Sequence, residues 1–241
     1  MGIVRFLGLC VRSVAVAAVV GGALAFAAVP SPYRAFTPDL YDLTEVAPDV
    51  YIDDPTAAPR VLQHIEAAEA NVQAFFGPLQ TDPVWVLCTT SECEARMGLS
   101  ANGMTFGFHL ILMGPRGVNE MIMTHERVHV ELHRNLSAAD ILGPKYPAWF
   151  DEGLATYLSG DDRPWMPANP RESDWIREAK DFFSWVRLRE GRDWRDSYGA
   201  AARLVAEIEE VAGREGLRDL IRRVGENGED FDAVYADTVR R

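Results

Sequence analysis

The sequence predicts an α+β fold: a small mixed sheet in a first lobe, and a second lobe built only of helices. Two observations predict it. Runs rich in β-branched and aromatic residues fall before residue 114, and only helical periodicities follow. With 48% hydrophobic and 25% charged residues, the 241-residue chain has the profile of one ordinary globular domain.

Taken in order, the first 29 residues stand apart. Arg5 and Arg12 are their only charges, and Val14 to Val29 is wholly apolar or glycine. A positive start followed by an apolar run is the pattern of an export signal. Ala23-Leu24-Ala25 and Ala25-Phe26-Ala27 both offer the small-x-small pattern of a cleavage site. At 16 residues the run is shorter than the ~20 of a bilayer span, so a cleaved signal leads and an uncleaved N-terminal membrane anchor is the alternative. Either places the rest outside the cytoplasm, periplasmic or extracellular. Residues 30–59 hold six prolines and read as a linker or extended segment, with a short strand possible at 50–52.

The main domain spans residues 60–225. Val61, Ile65, Ala68, Val72 and Phe75 recur at helical spacing, and Gly77-Pro78 ends that helix. Val84 to Cys88 reads as a strand, and Ser91 caps a short helix through Met97. Thr105 to Met113 reads as a second continuous strand with Phe106, Phe108, Leu110 and Leu112 on one face. Helical patterns follow at 118–135, 148–159, 173–190, 198–212, 214–224 and 230–239; residues 226–241 are charged and read as a C-terminal tail. Cys88 and Cys93 are five apart, and in an oxidising compartment they favour a local disulfide; two free buried thiols are the alternative. The net charge of −12 repels phosphates and argues against a nucleic-acid partner.

The chemistry lies in His125-Glu126-Arg127-Val128-His129. Helical residues four apart sit about 40° apart around the axis and about 6 Å apart along it, so both imidazoles can share one cation. Glu126, turned by about 100°, lies beside such an ion and can take a proton from its water. Val118, Met121, Ile122, His125, Val128, His129 and Leu132 form one stripe, which puts the histidines on the buried face.

A second segment, Trp149-Phe150-Asp151-Glu152-Gly153-Leu154-Ala155, resembles the Trp-x-x-Glu-Gly-x-Ala motif of the gluzincin metallopeptidases, the group of thermolysin and the aminopeptidase N family. The resemblance spans roughly residues 60–225. It implies a zincin-like fold, Zn2+ held by His125, His129 and Glu152, Glu126 as general base, and hydrolysis of a peptide or protein substrate. It also implies an oxyanion donor near the start of a later helix; Tyr198 is the candidate, with Arg203 and His133 as fallbacks. Gly153 would let a facing helix come close.

The sequence departs from the family in three places. The loop 135–147 is longer than in aminopeptidase N relatives. At the position of their amino-terminus-binding Gly-Ala-Met-Glu-Asn stands Ala101-Asn102-Gly103-Met104 with no carboxylate, so aminopeptidase action is not implied. Where thermolysin has an Asp supporting a zinc histidine, this chain has Thr156, and either Thr156 or Asp151 can take that duty. His133 is expected behind the ligands or at the helix end, His64 as an ordinary residue, and His109 on a strand bordering the cleft. A catalytically silent zinc-binding adaptor or envelope assembly protein, and a metal-free binding domain with structural histidines, remain as other classes.

Overall fold

The computed structural model describes residues 31–137, 140 and 143–240. The segment 1–29, expected as signal or anchor, lies outside the described residues. No helix among those described is long and apolar enough to cross a membrane.

Five strands form one mixed sheet: β1 (Thr44–Ala47), β2 (Val50–Ile52), β3 (Val84–Leu87), β4 (Gly103–Phe106) and β5 (Leu110–Met113), in the order β1-β2-β3-β5-β4. The inner pairs β2/β3 and β3/β5 are parallel; the outer pairs β1/β2 and β4/β5 are antiparallel. Alternation along the strands builds two cores. Trp85, Leu87, Ile111 and Met113 face one side, where helix α1 (Ala58–Phe76) contributes Val61, Ile65 and Ala68. Val86, Cys88, Leu110 and Leu112 face the other, against helix α2 (Ser91–Met97) through Cys93 and Met97.

Helix α3 (Glu120–Leu132) carries the His-Glu-x-x-His segment. Asn119 starts it, its side-chain oxygen accepting from the Ile122 amide at 3.1 Å. Ile122, Met123 and Val130 seal it onto the sheet with α1, while Val128 and Leu132 face the second lobe. That lobe comprises α4 (Ala148–Leu158), a 3-10 segment (Pro170–Glu178), α5 (Phe182–Arg189), α6 (Trp194–Gly225) and α7 (Phe231–Thr238). Its core is Trp149, Phe150, Leu154, Leu204, Val205, Ile208, Leu217 and neighbours.

Five expectations need correction. The segment 30–59 is more than a linker, because β1 and β2 belong to the sheet. The strand expected over 105–113 is a hairpin: the chain turns at Gly107, where φ is +60°, a conformation that favours glycine. Of this hairpin only β4 lies at an edge of the sheet, and Leu110–Met113 lies inside it. The cap of α2 is Thr90, whose hydroxyl accepts from the Cys93 amide at 3.3 Å, one residue before the expected Ser91. The helix expected over 173–190 breaks at Asp181, which caps α5 through a reciprocal pair with Ser184. The segment 226–241 is no mere tail: the helical pattern expected at 230–239 is borne out as α7, which buries Phe231 and Val234 in the second core. The two helices expected at 198–212 and 214–224 are borne out as the two halves of α6, separated by a non-helical residue at Gly213 (φ 72°). Cys88 and Cys93 are joined as a disulfide with Cα atoms 5.2 Å apart.

Candidate metal centre

The i, i+4 spacing on α3 and the packing of α4 against it bring three donors together. Nε2 of His125 and Nε2 of His129 are 3.2 Å apart. Oε2 of Glu152, from the first turns of α4, lies 3.5 Å from the former and 3.8 Å from the latter. A tetrahedral ion with bonds of about 2.0–2.2 Å spaces its donors about 3.3–3.5 Å apart. The triangle's edges of 3.2, 3.5 and 3.8 Å fall within about 0.3 Å of that spacing, and the donor set is two imidazoles and one carboxylate.

Asp151 fixes the histidines from behind. Its Oδ1 accepts from Nδ1 of His129 at 2.7 Å and its Oδ2 accepts from Nε2 of His133 at 2.8 Å. A carboxylate can only accept, so Nδ1 of His129 carries a proton, and when the ring gives up its second proton the Nε2 lone pair faces His125 and Glu152. The duty left open between Thr156 and Asp151 thus falls to Asp151; the Thr156 hydroxyl is buried without a hydrogen-bond partner. Burial by itself would push the His129 imidazolium down. Asp151, then Glu152 and Glu126, overcome this and push it up to about 10. Burial likewise opposes ionised Asp151, yet His133 and His129 hold it well below the usual carboxylate range. The pocket is a negative well that favours a cation between the two rings, a proton or a metal ion.

Glu126 sits beside this triangle with a fixed side chain. Its Oε2 accepts from the Thr105 hydroxyl at 2.7 Å, and the same hydroxyl lies 3.2 Å from the Glu126 carbonyl oxygen. Gly103 on β4 packs directly on this carboxylate: a Cβ there would stand 2.6 Å from Oε1 and 2.7 Å from Cγ. Gly153 has a related duty elsewhere. A Cβ at 153 would meet the Ala201 carbonyl oxygen at 2.5 Å, so the helix it admits is α6, not the ligand helix.

Tyr198 lies one turn inside α6 rather than at its first residue, since the helix opens at Trp194. Its ring is 6.1 Å from that of His125 and edge-on to Trp185 and Trp194 at 5.2 and 5.9 Å. Burial first, then Glu152, raise its hydroxyl beyond any physiological titration, which leaves it a proton donor. A cleft of about 350 Å³ joins His125, Glu126 and Tyr198 to Gly103, Asp161, Arg163, Arg189 and Trp194.

The fallbacks are otherwise engaged. Arg203 pairs with Glu210 through two contacts of 2.7 and 2.8 Å, and His133 is held by Asp151. His109 leans against Phe108 with the rings tilted and does not line this cleft; His64, half-buried on α1, does not either. Sequence reasoning missed Thr105, Gly103, Asp161, Arg163 and Arg189. In the sequence Gly103 stands out only as part of Ala101-Asn102-Gly103-Met104, at the position of the amino-terminus-binding motif, and not as a contact of Glu126.

No protein-family model matches the chain, and no curated protein matches it in sequence. The residues and their geometry therefore carry the functional argument.

Proposed function

We propose that this chain is a zinc-dependent peptidase of the gluzincin kind, acting outside the cytoplasm. The observation that carries the reading is the triangle of His125 Nε2, His129 Nε2 and Glu152 Oε2, with edges of 3.2, 3.5 and 3.8 Å. Two histidines and one carboxylate leave one tetrahedral corner for water or substrate, the composition of catalytic rather than structural sites. Zinc bound there supplies a water of pKa about 7 and polarises a carbonyl oxygen.

The protein's own groups do the rest. Glu126, held by Thr105, takes the proton of the attacking water and delivers it to the departing amine, so one carboxylate serves both halves of the reaction. Tyr198, protonated throughout, donates to the carbonyl oxygen as negative charge builds on it. Asp151 keeps His129 in the tautomer that presents Nε2. The outer edge of β4 offers main-chain groups to an extended peptide, which binds backbone with little regard for sequence. The Cys88–Cys93 disulfide supports an oxidising compartment, in line with the apolar run at 14–29.

The test is Glu126→Gln in the full chain. It should retain a full zinc complement by metal analysis and lose turnover of a fluorogenic peptide library. Cleavage at the parent rate by this variant refutes the mechanism. A parent chain that binds zinc and cleaves nothing is instead the zinc-binding adaptor.

A further inference from the structure

The second lobe contributes two guanidinium groups to the cleft, and they are not equivalent. Arg163 is spent on a neighbour: its Nε and Nη2 meet the two carboxylate oxygens of Asp161 at 2.7 and 2.6 Å. Arg189, the last residue of α5, has no carboxylate at ion-pair distance among the described residues. Its guanidinium lies over the rings of Tyr198 and Trp185, 5.0 and 5.6 Å from their centroids. Its Nε is enclosed without a hydrogen-bond partner, while the side chain lines the cleft. Ring contacts cover the face of a guanidinium and leave its in-plane donors to bond elsewhere.

We propose that Arg189 is a specificity-determining residue that binds a carboxylate of the substrate, either an acidic side chain or a free C-terminus. The proposal rests on the peptidase reading and adds the substrate class to it. The in-plane fork of an arginine matches the two oxygens of a carboxylate, and this pairing is stronger than one between neutral groups. The guanidinium stands 5.0 Å from the Tyr198 ring, and that ring stands 6.1 Å from His125. Extended peptide covers about 3.3–3.6 Å per residue, so the recognised carboxylate falls within three or four residues of the scissile bond. The other charged groups of the cleft are Glu126, Asp161 and Arg163, and the last two cancel each other. Without Arg189 the cleft would repel an acidic residue.

The experiment uses the full zinc-loaded chain carrying Glu126→Gln, which holds peptides without turnover. The probes are fluorescent octapeptides read by anisotropy: an acetylated, amidated all-Gln peptide; versions with a single Glu walked along it; and the all-Gln peptide with a free C-terminal carboxylate. One Glu position, or the free terminus, should bind about tenfold tighter than the all-Gln peptide, and which of them does so names the source of the carboxylate. Adding Arg189→Gln should erase that gap and leave zinc content and all-Gln affinity unchanged. Arg189→Glu should instead favour a peptide with Lys at the same position. Equal binding of every peptide, or a gap that survives Arg189→Gln, overturns the proposal. An Arg189-dependent gap in a chain that never cleaves peptides supports Arg189 and refutes the peptidase reading. Cleavage of every peptide with no gap does the reverse.

Discussion

Gly103→Ala isolates the position of Glu126 from its chemistry. The added methyl would sit 2.6, 2.7 and 2.8 Å from Oε1, Cγ and Cδ of Glu126. Non-bonded carbon atoms prefer about 3.5–4.0 Å, so the carboxylate has to retreat by about 1 Å. The atoms in the way belong to a side chain rather than to backbone, which means that the fold yields locally; overpacking of this kind costs about 1–3 kcal/mol. For a chain of this size that lowers Tm by roughly 2–4 °C per kcal/mol. Catalysis is less tolerant: a misplacement of about 1 Å costs about a hundredfold, or about 2.7 kcal/mol of barrier. His125, His129 and Glu152 are untouched. The expected result is therefore a folded protein with a full zinc complement and kcat/KM down about a hundredfold on a fluorogenic peptide. Combining it with Glu126→Gln should bring no further loss, because both act through one group. A Gly103→Ala protein with kcat/KM within threefold of the parent would refute the view that β4 sets the base. Loss of zinc together with activity would show that the strand supports the ligands instead.

Three further outcomes are expected. Asp151→Asn removes the charge behind His129 and should weaken zinc about 10–100-fold in a chelator competition. Tyr198→Phe keeps the ring packed between Trp185 and Trp194 and should lower kcat about 100–1000-fold with KM little changed. In the metal-free chain His129 titrates at about 10, against about 6.5 when unfolded. Its protonation thus stabilises fully below pH 6.5, and that stability is lost as pH rises toward 10. Zinc displaces this proton, so the Tm difference between loaded and chelated protein should widen from pH 6.5 to 9, by up to about 1.4 kcal/mol per unit.

The sequence made the helices legible because their apolar stripes are long; α1, α3 and α4 fall within a few residues of expectation. It also named the three donors, since a four-residue step on one helix and a glutamate at the start of the next are local patterns. What it could not supply depended on turns and on pairing across the chain. The single residue Gly107 converts an apparent nine-residue strand into a hairpin, and that fold-back is what delivers Gly103 and Thr105 to Glu126. Thr105 looked like any strand threonine until its partner, 21 residues later, was adjacent. Arg163 and Arg189 sit in segments with no motif, and their different roles follow from which has a carboxylate beside it.

Asp151 ties His129 on the ligand helix, and His133 just past its end, to the helix that bears Glu152, and it does so with protons alone. A cradle bolted shut in this way exists before any ion arrives. Stripping the zinc should empty the cradle without melting the protein, in contrast to small zinc domains whose folding is driven by the metal. On the proposed reading the chain should fold first and load afterwards, so metal-free and zinc-loaded protein should share one fold.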